Sequence, residues 1–342
     1  MVGVLVVTRE RDIRSILVVR LSSIGDIVLT TPLLDELRRT FPQARIDYCT
    51  KAPFESLIAS NPDISSVCTP ESIPLTSYDL VVDLQNNARS RAMVSSIKAG
   101  LVRRYRKQNW KKLLLVHFKL NLYGEGYRSV VDRYRAALDG LVRSVEAPCA
   151  LYPSPADNAF AADAIGAQRP VLVVCFGANH FTKRYPAERF AAVITDVTSR
   201  MTVQVLLLGG KEDMAEAAKI MAALPESARR QVRSIAGATT LMQSAAVLAS
   251  SDLVLGNDTG LMHMASAFGR RLFVLFGSSV SEFGFLPWRT PYELFETAGL
   301  DCRPCSHIGR NACPKGHFRC MREIPAERIT ARIIETLSHA AG

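Results

Sequence analysis

Four short segments of this 342-residue chain carry side chains suited to chemistry, and each lies where a strand-like run gives way to a helical pattern. The first is Leu21-Ser22-Ser23-Ile24-Gly25-Asp26. Gly25 permits a tight turn or a close backbone approach, and Ser22 and Ser23 add hydroxyl donors. Asp26 fits two roles there, a helix N-cap or a general base. The second, Phe176–Phe190, places Thr182, Lys183 and Arg184 just before Pro186 and a helix, as a phosphate clamp or as a solvated basic turn. The third, Gly256–His263, reads G-N-D-T-G-L-M-H. Backbone N–H groups of Thr259, Gly260 and Leu261 would open its helix and suit a diphosphate, while Asp258 suits a cap or a sugar hydroxyl. His263, one turn further on, reads somewhat better as a packed core histidine. The fourth, Gly209-Gly210-Lys211-Glu212-Asp213, offers a carboxylate to a ribose diol. None of the four contains the G-x-G-x-x-G of a dinucleotide site.

Positioning such loops requires strands that end side by side, and the remaining pattern supplies them. Ile16–Arg20, Arg45–Cys49 and Leu80–Asp83 read as strands, with helices at Pro32–Thr40 and Phe54–Ala59 between them. A further helix is expected around Val130–Val142. Prolines at 148, 153, 155 and 170 mark a linker region. Strands at Val171–Phe176, Val203–Leu208, Leu253–Leu255 and Leu272–Phe276 then alternate with helices at Ala187–Ser199, Glu212–Leu224, Leu241–Ala249 and Gly260–Phe268. The rhythm predicts an α/β protein with two Rossmann-like domains facing a cleft. The expected division is 1–152 and 153–325, with the C-terminal helix 326–340 returning to the first domain.

Composition narrows the function classes. Hydrophobic residues at 48% and charged residues at 22% exclude a disordered chain. No apolar run reaches the ~18 residues of a membrane span, and the N-terminus lacks a secretory leader pattern, so a soluble cytoplasmic protein is expected. The net charge of +10 calls for an anionic partner. Its densest source is Arg103–Lys119, which carries Arg103, Arg104, Arg106 and Lys107, then Trp110 and further lysines, without an acid. That segment suits a solvated helix with one buried face, or a surface for an anionic lipid or phosphorylated acceptor. Cys302, Cys305, Cys313 and Cys320 are spaced C-x2-C-x7-C-x6-C, compatible with structural zinc, with reduced loop cysteines, or with redox use. Neither a DxD pair nor a His–carboxylate cluster occurs in the four loops, so no metal ligands for catalysis are evident there.

In order, RLSSIGDIVLTTP (20–32), YDLVVDLQ (78–85), TKRYPAERF (182–190), VLLLGG (205–210) and GNDTGLMHMASAFG (256–269) resemble the heptosyltransferases of glycosyltransferase family 9. The cysteine-rich stretch 302–321 is similar to that of the branch adding the second heptose. The resemblance implies a GT-B fold and inverting, metal-independent transfer of heptose from ADP-heptose to the inner core of lipopolysaccharide. It further implies a peripheral place on the cytoplasmic leaflet of the inner membrane. By motif position it makes Asp26 the base, with Ser22, Ser23 and Gly25 in the acceptor loop. Thr182, Lys183, Thr259, Gly260 and Leu261 fall to the donor phosphates, and Asp258, Glu212 and Asp213 to the sugar and nucleotide. It favours Arg103, Arg104, Arg106, Lys107 and Trp110 as an acceptor and membrane surface. A family member using another nucleotide sugar or acceptor glycan is the nearest alternative. A basic nucleic-acid-binding protein with a zinc-like module is the alternative from another class, though no nucleic-acid motif supports it. Residues Met1–Arg14 precede the first expected strand and receive no role.

Overall fold

The computed structural model describes residues 13–124, 129–142 and 147–340, so most of the N-terminal extension lies outside the described residues. Two all-parallel sheets carry the fold. The first has the order β3-β2-β1-β4-β5, with β1 (Ser15–Val19), β2 (Arg45–Cys49), β3 (Ser66–Cys68), β4 (Ser77–Asp83) and β5 (Lys98–Arg104). The second has the order β11-β10-β9-β6-β7-β8. Its strands are β6 (Val171–Cys175), β7 (Gln204–Leu207), β8 (Val232–Ser234), β9 (Leu253–Asn257), β10 (Leu272–Phe276) and β11 (Tyr292–Glu296). β6, β9 and β10 are buried at every position, which explains their unbroken apolar runs, since a parallel strand is covered on both faces.

The first sheet is accompanied by α1 (Ile24–Val28), α2 (Thr31–Thr40), α3 (Ala88–Ser95), α4 (Asn109–Phe118) and α5 (Val130–Arg135). The second unit begins with α6 (Pro155–Ile165), started by Ser154, whose hydroxyl accepts from the Asp157 N–H, and by Pro155 in the first turn. The proline-marked linker therefore contains a helix. There follow α7 (Ala187–Arg200), α8 (Met214–Ala223), α9 (Glu226–Arg229), α10 (Leu241–Ala249), α11 (Gly260–Ser266), α12 (Arg319–Arg322) and α13 (Ala326–Ala340). The expected helix over Val130–Val142 is confined to α5 and a single 3-10 turn at Ala136–Leu138.

One expectation is corrected. The last helix, α13, does not return to the first domain. Its Ile329, Ile333 and Leu337 are buried with Phe190, Val193 and Val197 of α7 in the core of the second domain. The apolar stripe has the right period, but an amphipathic helix does not encode which sheet it will cover.

The two domains meet where the first helix of one touches α11 of the other. α1 packs against α11, and the Ala52–Leu57 turn packs against α10, so one apolar core runs through both units. Glycine makes this approach possible. A Cβ at position 25 would stand 2.4 Å from Cδ2 of His263, and one at position 260 would stand 2.8 Å from Cβ of Ile24. The strand-to-helix loops of both sheets consequently open onto one cleft.

Candidate active site

Asp26 sits on the first-domain side of the cleft. It occupies the third position of α1, with Ser23 as the N-cap, so it closes a capping box rather than capping the helix itself. Oδ2 accepts from the Ser23 hydroxyl at 3.0 Å and the Ser23 N–H at 3.4 Å. Oδ1 faces Nη2 of Arg20 at 2.7 Å and accepts from the Tyr134 hydroxyl at 3.1 Å. Arg20 is fixed in turn by the Ser22 carbonyl at 2.8 Å and the Leu84 carbonyl at 2.8 Å, while the Gln85 amide oxygen accepts from the Leu21 N–H. The YDLVVDLQ block thus ends in the groups that hold the Asp26 loop. Burial pushes the Asp26 carboxyl upward, but the Arg20 charge and the hydrogen bonds from Ser23 and Tyr134 outweigh it and leave it below its ordinary value. At neutral pH it is an oriented carboxylate with one edge toward the cleft.

Across the cleft, Lys183 Nζ lies 2.6 Å from Oδ2 of buried Asp258, which also accepts from the Ser279 hydroxyl at 2.8 Å. Burial raises the Asp258 carboxyl, and Lys183 and Ser279 reverse that and hold it low. Asn257 ties the same strand end to the neighbouring loop, donating to the Phe176 carbonyl at 2.6 Å and accepting from the Tyr185 N–H at 3.1 Å. Thr259 is the N-cap of α11, and among the described residues its buried hydroxyl has no partner. Gly260 and Leu261 follow in the first turn.

The other residues of the donor side divide by what their polar atoms already do. Thr182 is buried, and its hydroxyl accepts from Ser278 at 2.9 Å and from the Arg310 N–H at 2.9 Å. It fastens the loop that carries Lys183 rather than presenting a free hydroxyl. Asp213 is also buried, and its carboxylate accepts from the Gly210 N–H at 3.0 Å. Glu212 stays exposed at the end of β7, so of the two it is the carboxylate available to a diol.

The basic segment is divided between β5, the stretch after it and α4. Arg103 and Arg104 end β5, with Arg104 3.9 Å from Asp83. Arg106 is exposed, Lys107 is half-buried toward Asp26, and Trp110 on α4 is 58% exposed. The cysteines are all free thiols. Cys302, Cys305 and Cys313 are half-buried and Cys320 is buried, with burial raising its thiol to about 11. Sγ of Cys302 lies 3.9 Å from Nε2 of His317, but among the described residues no three ligating side chains converge. The observed work of this stretch falls to Arg303, which donates to the Gly277, Thr297 and Ser279 carbonyls and pairs with Glu296 at 2.6 Å.

Sequence reading missed Arg20, Tyr134 and Ser279 as site residues, and it placed His263 in the core. His263 is buried, but it stands in the α1–α11 contact within electrostatic reach of Asp258 and Asp26, and among the described residues its Nδ1 has no partner. Burial lowers its imidazole to about 4, so it is neutral at pH 7. Arg20 lies at the head of the first motif, and its place there was the available signal. Tyr134 lies 108 residues from Asp26, and no local pattern joins them.

The chain resembles known proteins over most of its length. It is 28% identical over 298 residues to lipopolysaccharide heptosyltransferase 2 of Escherichia coli K12, covering 78% of this chain and 84% of that protein. The solved E. coli ADP-heptose lps heptosyltransferase II superposes with a TM-score of 0.74 at 23% identity, over 96% of this chain and all of that one. E. coli heptosyltransferase WaaC with ADP superposes with a TM-score of 0.67 at 17% identity, over 94% of this chain and 99% of the other. These structures share the two-domain GT-B architecture. The family model for glycosyltransferase family 9 (heptosyltransferase) matches residues 71–314, and the chain belongs to that family.

Proposed function

We propose that the protein transfers heptose from ADP-heptose to the inner core of lipopolysaccharide, with inversion at the anomeric carbon and without a catalytic metal. The observation that carries this reading is the placement of Asp26, on α1, opposite the Lys183–Asp258 pair, whose Asp258 lies in the loop that leads into α11, the helix that α1 touches. The acceptor hydroxyl attacks the anomeric carbon from the Asp26 side, and its proton passes to the Asp26 carboxylate. The carbon–oxygen bond to the diphosphate breaks on the other face, and ADP leaves with the electron pair. Lys183 and the Thr259 hydroxyl meet the negative charge that grows on the diphosphate. A carboxylate held low by Arg20 is a weak base in the resting site, but the attacking oxygen becomes acidic as its bond to the sugar carbon forms. Asp258 holds Lys183 at the diphosphate, and Glu212 takes the ribose diol.

The acceptor is an amphiphile, and α4 offers it a matching edge. Trp110, Leu113 and Phe118 on α4 are 58%, 53% and 63% exposed, and Leu120 and Leu122 after it are also exposed. Lys111, Lys119 and Arg106 flank them. Apolar and aromatic side chains between cations suit the headgroup region of an anionic leaflet, which gives the protein a peripheral place at the membrane.

Transfer from ADP-heptose, UDP-sugars and GDP-sugars to a heptose-deficient core acceptor tests the reading. Product from ADP-heptose alone, with inverted anomeric configuration and full activity in a chelator, is expected. Preference for a UDP- or GDP-sugar would assign another donor. Co-sedimentation with anionic vesicles tests the membrane edge, and equal binding by a Trp110→Ser, Phe118→Ser variant would refute it.

A further inference from the structure

The cysteine-rich stretch sends one side chain toward the donor side of the cleft that the transfer chemistry above does not use, the guanidinium of Arg303. Two strands of the second sheet end around it. β10 runs into Gly277-Ser278-Ser279, and β11 runs into Thr297. Nε of Arg303 donates to the Gly277 carbonyl at 2.7 Å, Nη2 to the Ser279 carbonyl at 3.0 Å and Nη1 to the Thr297 carbonyl at 2.6 Å. Nη2 also meets the Glu296 carboxylate at 2.6 Å, which neutralises a side chain only 9% exposed. A planar fork used in this way fixes the path of the loop that it grips. Its own backbone is held from the first domain, where Lys119 donates to the carbonyls of Pro304 at 2.7 Å and Cys302 at 3.3 Å, on either side of Arg303.

The gripped loop reaches Lys183 through both of its serines, which are buried. The Ser278 hydroxyl donates to the Thr182 hydroxyl at 2.9 Å, and the Ser278 N–H donates to the Thr182 carbonyl at 3.3 Å. The Ser279 hydroxyl donates to Oδ2 of Asp258 at 2.8 Å, the same oxygen that lies 2.6 Å from Lys183 Nζ. Lys183 is therefore fixed twice, by Thr182 before it in the chain and by Asp258 opposite it. The loop has no room to shift toward Thr182. A Cβ at position 277 would stand 2.8 Å from the Thr182 carbonyl oxygen and 2.8 Å from Cε of Met321.

We propose that Arg303 is a positioning residue for the transfer, setting the Gly277–Ser279 loop and through it the place of the Lys183 ammonium against the departing diphosphate. This rests on the function proposed above and gives the cysteine-rich stretch a part in it. The geometry also says which kinetic constant should respond. Charge on the diphosphate grows in the transition state, so a displaced Lys183 costs more there than in the complex with intact donor. The acceptor side is spared, because Asp26 is held within the first domain by Arg20, Ser23 and Tyr134.

The test is a double-mutant cycle between Arg303 and Lys183, read by steady-state transfer from ADP-heptose to a heptose-deficient core acceptor. Arg303→Gln should lower kcat about 10- to 100-fold, with the KM of donor and acceptor each within about threefold of wild type. Arg303→Lys, which keeps the charge but loses the fork, should recover part of that loss. Ser279→Ala cuts the next link without touching the guanidinium, and it should lower kcat in the same direction. In the Lys183→Met protein, where the group being positioned is gone, adding Arg303→Gln should cost less than about twofold more. A full loss in that background would overturn the role, as would wild-type kcat in a folded Arg303→Gln protein with a lower melting temperature. Either result would leave Arg303 as a stitch between β10 and β11. A wild type that transfers nothing from ADP-heptose counts against the proposed function instead. The same cycle is then read by calorimetry with ADP, which carries the charge of the departed group. Arg303→Gln should weaken ADP in the wild-type background and not in Lys183→Met, and equal weakening in both would overturn the positioning.

Discussion

Two carboxylates, half-buried Asp26 and buried Asp258, lie on opposite sides of the cleft, each where a strand gives way to a helix and each paired with a cation. The pairs are built in opposite senses. Arg20 is tied to two backbone carbonyls and serves Asp26, whose two oxygens are further positioned by Ser23 and Tyr134. On the other side Asp258 is the fixed member, buried and held by Ser279, and Lys183 is the member at the cleft. A planar guanidinium is the better fixture, because several donors are locked in one geometry. An ammonium on a flexible stem is the better working group where a diphosphate must be followed as it departs. The same motif, a carboxylate with a cation, thus yields a base on one side and an electrophilic clamp on the other.

The comparison breaks most severely at Asp26. Asp26→Asn should lower transfer by about 10²–10⁴-fold while leaving ADP affinity unchanged, measured by steady-state turnover and by ADP titration. The variant leaves Arg20 without its counter-charge, so a lower melting temperature is expected too, softened by the Ser22 and Leu84 carbonyls that still accept from it. Turnover near the wild-type rate would remove Asp26 from the chemistry. On the clamp side, Lys183→Met should cost about 10²–10³-fold in kcat, with a weakened affinity for ADP that Asp26→Asn does not show. If both variants lost ADP equally, the division of labour between the two pairs would be wrong.

How much of this was legible depended on whether the information was local. Asp26, Lys183 and Asp258 lie in loops whose glycine, hydroxyl and acid content announces a strand-to-helix turn, and strands such as Arg45–Cys49 and Leu272–Phe276 were read to the residue. Short edge strands were not: β3, β8 and β11 are partly exposed and lack the apolar run that marks β6 or β10. The segment Arg103–Lys119 divides in a way that its charge density does not show: Arg104 at the end of β5 is exposed, while Lys107 and Lys112 are half-buried. The partner of Asp258 was within view in another motif, but its pairing with Lys183 needed the register of β6 beside β9.

His263 lies between the two carboxylates and offers a smaller test. Its folded-state value of about 4 lies below the ordinary 6.5, so between those values the unfolded chain takes up a proton that the folded chain refuses. Stability should therefore fall as pH drops from about 6.5 to 4, by about 3 kcal/mol from this residue. His263→Gln should flatten that part of the curve in urea denaturation at several pH values. An unaltered slope would mean that the imidazole is protonated in the folded cleft, and that the two carboxylates share a third cation.

The least expected effect is at Tyr134, and it separates orientation from charge. Its hydroxyl donates to Oδ1 of Asp26 and so favours the ionised carboxyl, which is one of the several causes of the low Asp26 value. Tyr134→Phe removes that donor while Arg20 and Ser23 remain, so the Asp26 carboxyl should titrate at higher pH, followed by the 13C shift of labelled aspartate. At pH 7.5 the carboxyl is still ionised in either protein and has become a slightly stronger base. Transfer should then change by less than about fivefold, the equivalent of about 1 kcal/mol for one hydrogen bond. A loss as large as that of Asp26→Asn would show instead that the hydroxyl holds the carboxylate in line with the acceptor, and that Arg20 alone does not fix it.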